Sequence, residues 1–135
     1  MRSESRKRNT KWIFVFLFML SNIALAETPI YTIEKTTIVI SHDQPEFIIK
    51  LKANPTTGYT WILREYDKNQ LELVKHEFVR GPSQLVGAPG YDFWTFHAKP
   101  DFFTQSQQTT IRLTYMRPWE PITTNTKDVV FVITK

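Results

Sequence analysis

The sequence predicts an all-β domain, an antiparallel sandwich of about seven strands. Three observations carry this. Short segments with period-two alternation of apolar and polar residues recur from Ile30 to the C-terminus. Turn signals built on proline, glycine, asparagine and aspartate separate them. About seven such segments fit into roughly 100 residues, the size and spacing of one sandwich.

The segments follow in order. Ile30 to Ile40 is dense in β-branched residues and is expected as one strand. Phe47, Ile49 and Leu51 share a face, with Lys50 and Lys52 opposite. Tyr59, Trp61 and Leu63 repeat the alternation, as do Trp94, Phe96 and Ala98. Ile111, Leu113 and Tyr115 alternate against Thr110, Arg112 and Thr114, and Val129 to Ile133 is a wholly apolar last strand. Leu71 to Val79 is ambiguous, because Val74, Phe78 and Val79 fit neither a strand period nor a short helix cleanly. Turns are expected at Asp43-Gln44-Pro45, Asn54-Pro55, Asp67-Lys68-Asn69, Gly81-Pro82, Pro89-Gly90, Lys99-Pro100-Asp101 and Arg117-Pro118. The pattern is of immunoglobulin-like type, without the Cys…Trp…Cys spacing of antibody domains. No repeat or low-complexity segment interrupts it.

Residues 1–26 read as a secretory signal, which leaves 27–135 as a single domain. A basic start (Arg2, Arg6, Lys7, Arg8, Lys11) leads into an apolar run, and Ala24-Leu25-Ala26 forms a small-residue cleavage site. Trp12 to Ala26 is shorter than the roughly 20 apolar residues of a membrane span. The chain carries 17 Lys and Arg against 13 Asp and Glu. The leader holds five of those bases and one acid, Glu4, so the remainder has twelve of each and no net charge. This argues against a nucleic-acid partner, which requires a basic stripe on the domain. The absence of cysteine excludes disulfides, thiol catalysis and lipid attachment at a cysteine. The domain is expected to be exported, periplasmic or secreted, free of the membrane after cleavage, and monomeric.

No catalytic motif supports an enzyme, and no cofactor or metal is expected. His42, His76 and His97 lack helical metal-ligand spacing. Ser41, Ser83 and Ser106 lie in no nucleophile elbow, and no glycine-rich phosphate loop occurs.

Three connections are more informative. In Asn54-Pro55-Thr56-Thr57-Gly58, Pro55 fixes its own φ and biases Asn54 toward extended backbone. Thr56 and Thr57 are stiff at χ1, and Gly58 permits positive φ before Tyr59. The segment is a pre-set polar tip, or simply a turn. Gly81 to Gly90 is long and irregular, carries Leu85 and Val86, and suits either a binding loop or a solvated linker. Arg117-Pro118-Trp119-Glu120-Pro121 opens a loop reaching about Lys127. Trp119 there is either an exposed anchor or a plug over the end of the core. In a sandwich of this order all three connections emerge at one end.

NPTTGYTW at Asn54–Trp61, GAPG at Gly87–Gly90 before an aromatic strand, and RPW at Arg117–Trp119 together resemble the three signature motifs of the chagasin family, protein inhibitors of papain-like cysteine proteases. Order, spacing and strand context agree over essentially the whole mature chain. NPTTG and RPW match fully. The middle motif departs, with Pro89 where the family's glycine, any residue, glycine, glycine pattern has its third residue. The resemblance implies an immunoglobulin-like sandwich that blocks a protease cleft reversibly. Asn54, Pro55, Thr56, Thr57 and Gly58 would sit over the catalytic cysteine, with Tyr59 also among the protease-binding residues. Gly87, Ala88, Pro89 and Gly90 would grip one side of the cleft, and Arg117, Pro118 and Trp119 the other. Two rivals stand beside it: an exported carbohydrate-binding module stacking sugars on Tyr59, Tyr91 and Trp119, and an adhesion module with inert loops.

The mature protein should begin at Glu27. N-terminal sequencing of exported material checks this, and a read from Met1 would contradict it.

Overall fold

Ile30 to Ile40 does not form one strand. The computed structural model describes residues 25–83, 85–105, 108–123 and 126–135. The leader expected at 1–26 lies outside them except for its last two residues. Within 30–40, a turn closed by the Lys35 N–H donating to the Thr32 carbonyl (3.1 Å) splits the segment. The halves are β1 (Ile30–Tyr31) and β2 (Thr37–Val39). The polar run Glu34-Lys35-Thr36 cannot be buried between two sheets, so the chain breaks there and changes sheet.

The long strands are β3 (Glu46–Ala53), β4 (Thr60–Tyr66), β5 (Leu71–Arg80), β6 (Gly90–Ala98), β7 (Gln108–Met116) and β8 (Lys127–Thr134). They form two four-stranded sheets, in the orders β1-β3-β6-β5 and β2-β8-β7-β4. All pairs between long strands are antiparallel. The short β1 and β2 add in parallel to β3 and β8. The expected sandwich is present with eight strands, because the first segment contributes two.

The core between the sheets is the set the alternation marks. Phe47, Ile49 and Leu51 of β3 and Trp94 and Phe96 of β6 face Ile111 and Leu113 of β7 and Phe131 and Ile133 of β8. Each such side chain contributes about 1.5–3 kcal/mol when fully buried. The ambiguous Leu71–Val79 segment is a strand. A register shift between Leu73 and Lys75 moves the alternation by one residue. Leu71 and Leu73 share the face of Ala98 and Phe96 before the shift, and His76 and Phe78 share the face of Trp94 and Asp92 after it. A bulge of this kind erases a simple period.

The turn expected at Lys99-Pro100-Asp101 opens into a short helix, α1 (Pro100–Gln105), with proline at its first position. It drives Phe102 fully into the core, and Phe103 stacks on His42 at 4.0 Å.

The register also places the three connections. Ala53 and Arg80 both lie opposite Gly90, Thr60 lies opposite Met116, and Tyr115 opposite Lys127. The β3–β4, β5–β6 and β7–β8 connections therefore leave from the same end.

Among the described residues, one charged group lies inside. Asp92 is buried on β6 and meets His76 Nε2 at 3.1 Å, while the His76 ring stacks on Trp94 at 3.6 Å. Burial pushes the Asp92 carboxyl above its ordinary pKa, and the His76 hydrogen bond counters this only in part. The folded state therefore holds this proton more tightly than the unfolded chain. The group's contribution to stability is fully present below its unfolded value, about 3.9. It is lost as pH rises through the folded value. Asp92→Asn removes the titration. In urea melts, the stability of Asp92→Asn relative to wild type should be greater near neutral pH than at about pH 4. An unchanged or reversed difference would contradict the assignment.

Candidate functional site

The first tip is fixed from within. Asn54 is extended (φ −135°, ψ 87°), as a residue before proline should be. Pro55–Thr57 make one 3-10 turn. The Thr57 N–H and the Thr57 hydroxyl both donate to the Asn54 carbonyl, at 3.2 and 2.7 Å. The Gly58 N–H donates to the Pro55 carbonyl at 3.1 Å, and Gly58 itself has φ +80°. The Thr56 hydroxyl donates to Asn54 Oδ1 at 2.6 Å. Pro55, Thr56 and Thr57 stay exposed.

The same tip is tied to the other two loops. Asn54 Nδ2 donates to the Gly87 carbonyl of the β5–β6 loop at 3.1 Å. Arg117 Nε, from the β7–β8 loop, donates to the Thr57 carbonyl at 3.1 Å. The Arg117 guanidinium lies 4.6 Å from the centre of the Tyr59 ring, and its other arm pairs with Glu120 Oε1 at 3.0 Å. That ion pair is half-exposed and adds little by itself. Its effect is to hold the guanidinium in place.

Below the edge runs an aromatic column. Tyr59 stacks on Tyr115 with centroids 5.4 Å apart, and Tyr115 tilts against Trp61 at 4.9 Å. Trp61 Nε1 donates to the Lys52 carbonyl at 3.0 Å. The Tyr115 hydroxyl accepts the Asn54 N–H at 3.2 Å. A buried tyrosine usually directs its hydroxyl to a partner, and here the partner is the tip. Tyr115 and Glu120 were not among the expected site residues. Tyr115 reads from sequence as one more inward strand position. Glu120, directly after RPW, was the readable sign of a partner for Arg117.

Trp119 projects, with 71% of its surface exposed, and does not plug the core. Its ring still has a floor. A Cβ built on Gly58 would lie 2.8 Å from Trp119 Cη2. Gly58 is therefore required twice, for its left-handed backbone and for the approach of this ring.

The β5–β6 loop presents Leu85 and Val86 fully to solvent. The Ala88 N–H donates to the Leu85 carbonyl at 3.1 Å. Gly87 has φ +80° and faces the Thr56 hydroxyl, 3.6 Å from where a Cβ would stand. Pro89 turns its carbonyl toward Gly81, and Gly90 packs beneath the Phe78 ring. All thirteen expected residues, from Asn54 to Trp119, thus lie in or at the base of one edge.

The three rings proposed as sugar platforms are not equivalent. Tyr59 carries Arg117 and Tyr115, Tyr91 carries Lys50 at 4.2 Å, and Trp119 rests on Gly58. The histidines stand apart from the edge loops, His42 on Phe103, His76 with Asp92, and His97 at 4.0 Å from Glu46. Among the described residues no group of three His, Cys, Asp or Glu could hold a metal. What the edge offers is a fixed shape, threonine hydroxyls and an exposed indole.

Residues 42–134 match the model of the chagasin family of peptidase inhibitors, I42. The chain is 34% identical over 100 residues to amoebiasin-1 of Entamoeba histolytica, covering 73% of this chain and 86% of that protein. It is 31% identical over 75 residues to chagasin of Trypanosoma cruzi, covering 53% and 64%. A crystal structure of a cysteine protease inhibitor from Entamoeba histolytica superposes with a TM-score of 0.64 at 25% identity, covering 81% of this chain and 97% of that one. The solution structure of amebosin superposes with a TM-score of 0.61 at 24% identity and shows the same fold. With its sandwich, its three tied loops and a family match that spans most of the chain, this protein belongs to the chagasin family of peptidase inhibitors.

Proposed function

We propose that the chain is an exported, reversible, tight-binding inhibitor of papain-like cysteine proteases. Residues 1–26 are a cleaved leader and 27–135 the monomeric inhibitor domain, needing no cofactor and having no catalysis of its own. The observation that carries this is the cross-linking of three loops into one edge. Asn54 Nδ2 holds Gly87 and Arg117 holds Thr57, so the edge is shaped before any partner arrives. Pre-organisation lowers the ordering entropy lost on association, which favours tight binding without covalent chemistry. The peptidase-inhibitor family and one structural neighbour, a cysteine protease inhibitor from Entamoeba histolytica, point to the same target class.

In this reading the Asn54–Gly58 tip covers the catalytic cysteine. Gly87–Gly90 and Arg117–Trp119 hold the cleft on either side, with Tyr59 beneath. The direct test is inhibition of a panel of papain-like proteases by the mature protein. Submicromolar inhibition of at least one supports the reading, and none across the panel rejects it.

Trp119→Ala should weaken protease binding by about 2 kcal/mol or more, the scale of a buried anchor at an interface. Thermal stability should barely change, because the ring is outside the core. Calorimetry and a thermal melt separate the two effects. A collapse in melting temperature would make Trp119 structural instead.

The tip should also survive its target. Proteases cut extended segments, whereas Pro55–Thr57 is a 3-10 turn closed by its own hydrogen bonds. A protease whose nucleophilic cysteine is replaced by alanine should bind undiminished in a calorimeter. Mass spectrometry after long incubation with active enzyme should find Asn54–Gly58 intact. Stoichiometric cleavage there would show trapping by acyl-enzyme chemistry.

A further inference from the structure

The mature domain has no net charge, but its charges are not evenly placed. Lys52 is exposed near the end of β3, two residues before Asn54, and its ammonium group makes no hydrogen bond or ion pair among the described residues. It borders three adjoining hollows. One lies toward Asn54, Trp61, Pro89 and Lys127. Another lies toward Lys50, Tyr91 and Glu34, and the third runs beneath the β5–β6 loop at Gly81–Ser83. Lys50 rests over the Tyr91 ring at 4.2 Å, and Lys127 lies 5.9 Å from the Trp61 ring. Neither makes a close ion pair among the described residues, although the Glu34 carboxylate acts on Lys127 at longer range. Aromatic faces hold these ammonium groups in place without neutralising them. Glu34 is the acid on this face, and it is hydrogen-bonded to the Thr32 hydroxyl. At the opposite end of the sandwich lie the acids Asp43, Glu46, Asp67 and Asp101, which Lys68, Lys99 and Lys135 offset only in part.

We propose that Lys50, Lys52 and Lys127 form a basic shelf beside the first loop that meets acidic side chains on the rim of the protease cleft and speeds docking. This rests on the inhibitor reading and names the partner chemistry of that edge. The link to the edge is direct, since Asn54 and Pro89 line the same hollow as Lys52 and Lys127. Any cleft that receives the Asn54–Gly58 tip brings its rim over the shelf. Exposed charge beside an interface acts mainly on the association rate. The charge axis of the sandwich adds to this by turning the edge toward a negative partner.

The experiment measures association and dissociation rates of the exported protein with a papain-like protease that it inhibits, in low salt, about 0.01 M, and high salt, about 1 M. The triple variant Lys50→Gln, Lys52→Gln, Lys127→Gln should associate about tenfold more slowly in low salt, within the range of electrostatic steering. Its dissociation rate should change far less, and in high salt the two proteins should converge. The triple Lys→Arg variant should keep the wild-type rate, which separates charge from shape. A wild-type association rate that does not vary with salt overturns the proposal whether or not the glutamine variant folds. So does a glutamine variant that loses retention on a sulfated polysaccharide but docks to protease at the wild-type rate, which assigns the shelf to polysaccharide. If inhibition persists in either case, the inhibitor reading stands and only the shelf is lost. If wild type binds no protease in the panel, both fall.

Discussion

The binding edge depends on Asn54, which uses every polar group it has. Its N–H goes to the Tyr115 hydroxyl and its carbonyl accepts from Thr57. Its Oδ1 accepts from Thr56, and its Nδ2 donates to the Gly87 carbonyl. No other residue type fits this set. Aspartate lacks the amide donor, serine lacks the reach, and glutamine places its amide one methylene too far. Each bond is worth only about 0.5–1.5 kcal/mol net. Together they join a strand end, a turn, a second loop and the aromatic column at one point. Losing the side chain would free the tip from the loop beside it and leave the Gly87 carbonyl without this donor.

The column explains why the joint holds its shape. Arg117, Tyr59, Tyr115 and Trp61 stack in sequence from the solvent edge to the mouth of the core. The three aromatic rings have two χ angles each and lose little entropy on ordering, and Arg117 is held by Thr57 and Glu120. Trp61 is almost fully buried and is anchored to β3 through the Lys52 carbonyl. The rigidity of the sandwich thus reaches the loops through side chains as well as backbone. A binding surface made of loops behaves here as part of the sheet end, which suits an inhibitor that must not be drawn into the geometry of a substrate.

The sequence made the sandwich and the edge legible where a rule acts locally. Alternation marked Phe47, Ile49 and Leu51 because β3 runs without irregularity. It failed in β5 because the shift after Leu73 reverses which parity faces inward. The β-branched run at Ile30–Ile40 hid a break, because propensity carries no information on which sheet a strand joins. The helix that carries Phe102 is hidden in the sequence, since Lys99-Pro100-Asp101 signals both a turn and a helix start. At the edge, the stiffness of Asn54–Gly58 followed from proline, threonine and glycine alone. The contact between Trp119 and Gly58 did not, because the two are 61 positions apart in sequence and meet only when β4 pairs with β7. The role of Tyr115 is hidden because its hydroxyl reaches Asn54, just past the end of β3 in the other sheet.

Pro89 shows how a departure from a motif becomes readable once the backbone is known. From sequence, proline in the third place of the glycine-rich motif threatens the loop, because proline has no N–H and cannot adopt positive φ. In the folded chain the glycines with positive φ among the described residues are Gly58 and Gly87. The left-handed turn of the second loop is therefore made two residues before Pro89. The group that Pro89 turns inward is its carbonyl, which proline retains, and this faces Gly81, where a Cβ would come within 2.7 Å. Position 89 thus requires a free carbonyl and space on Gly81, not the freedom of glycine. Proline satisfies both and narrows the unfolded ensemble of the loop. The residue that stands out in the motif is compatible with the same tied edge, reached with a stiffer second loop.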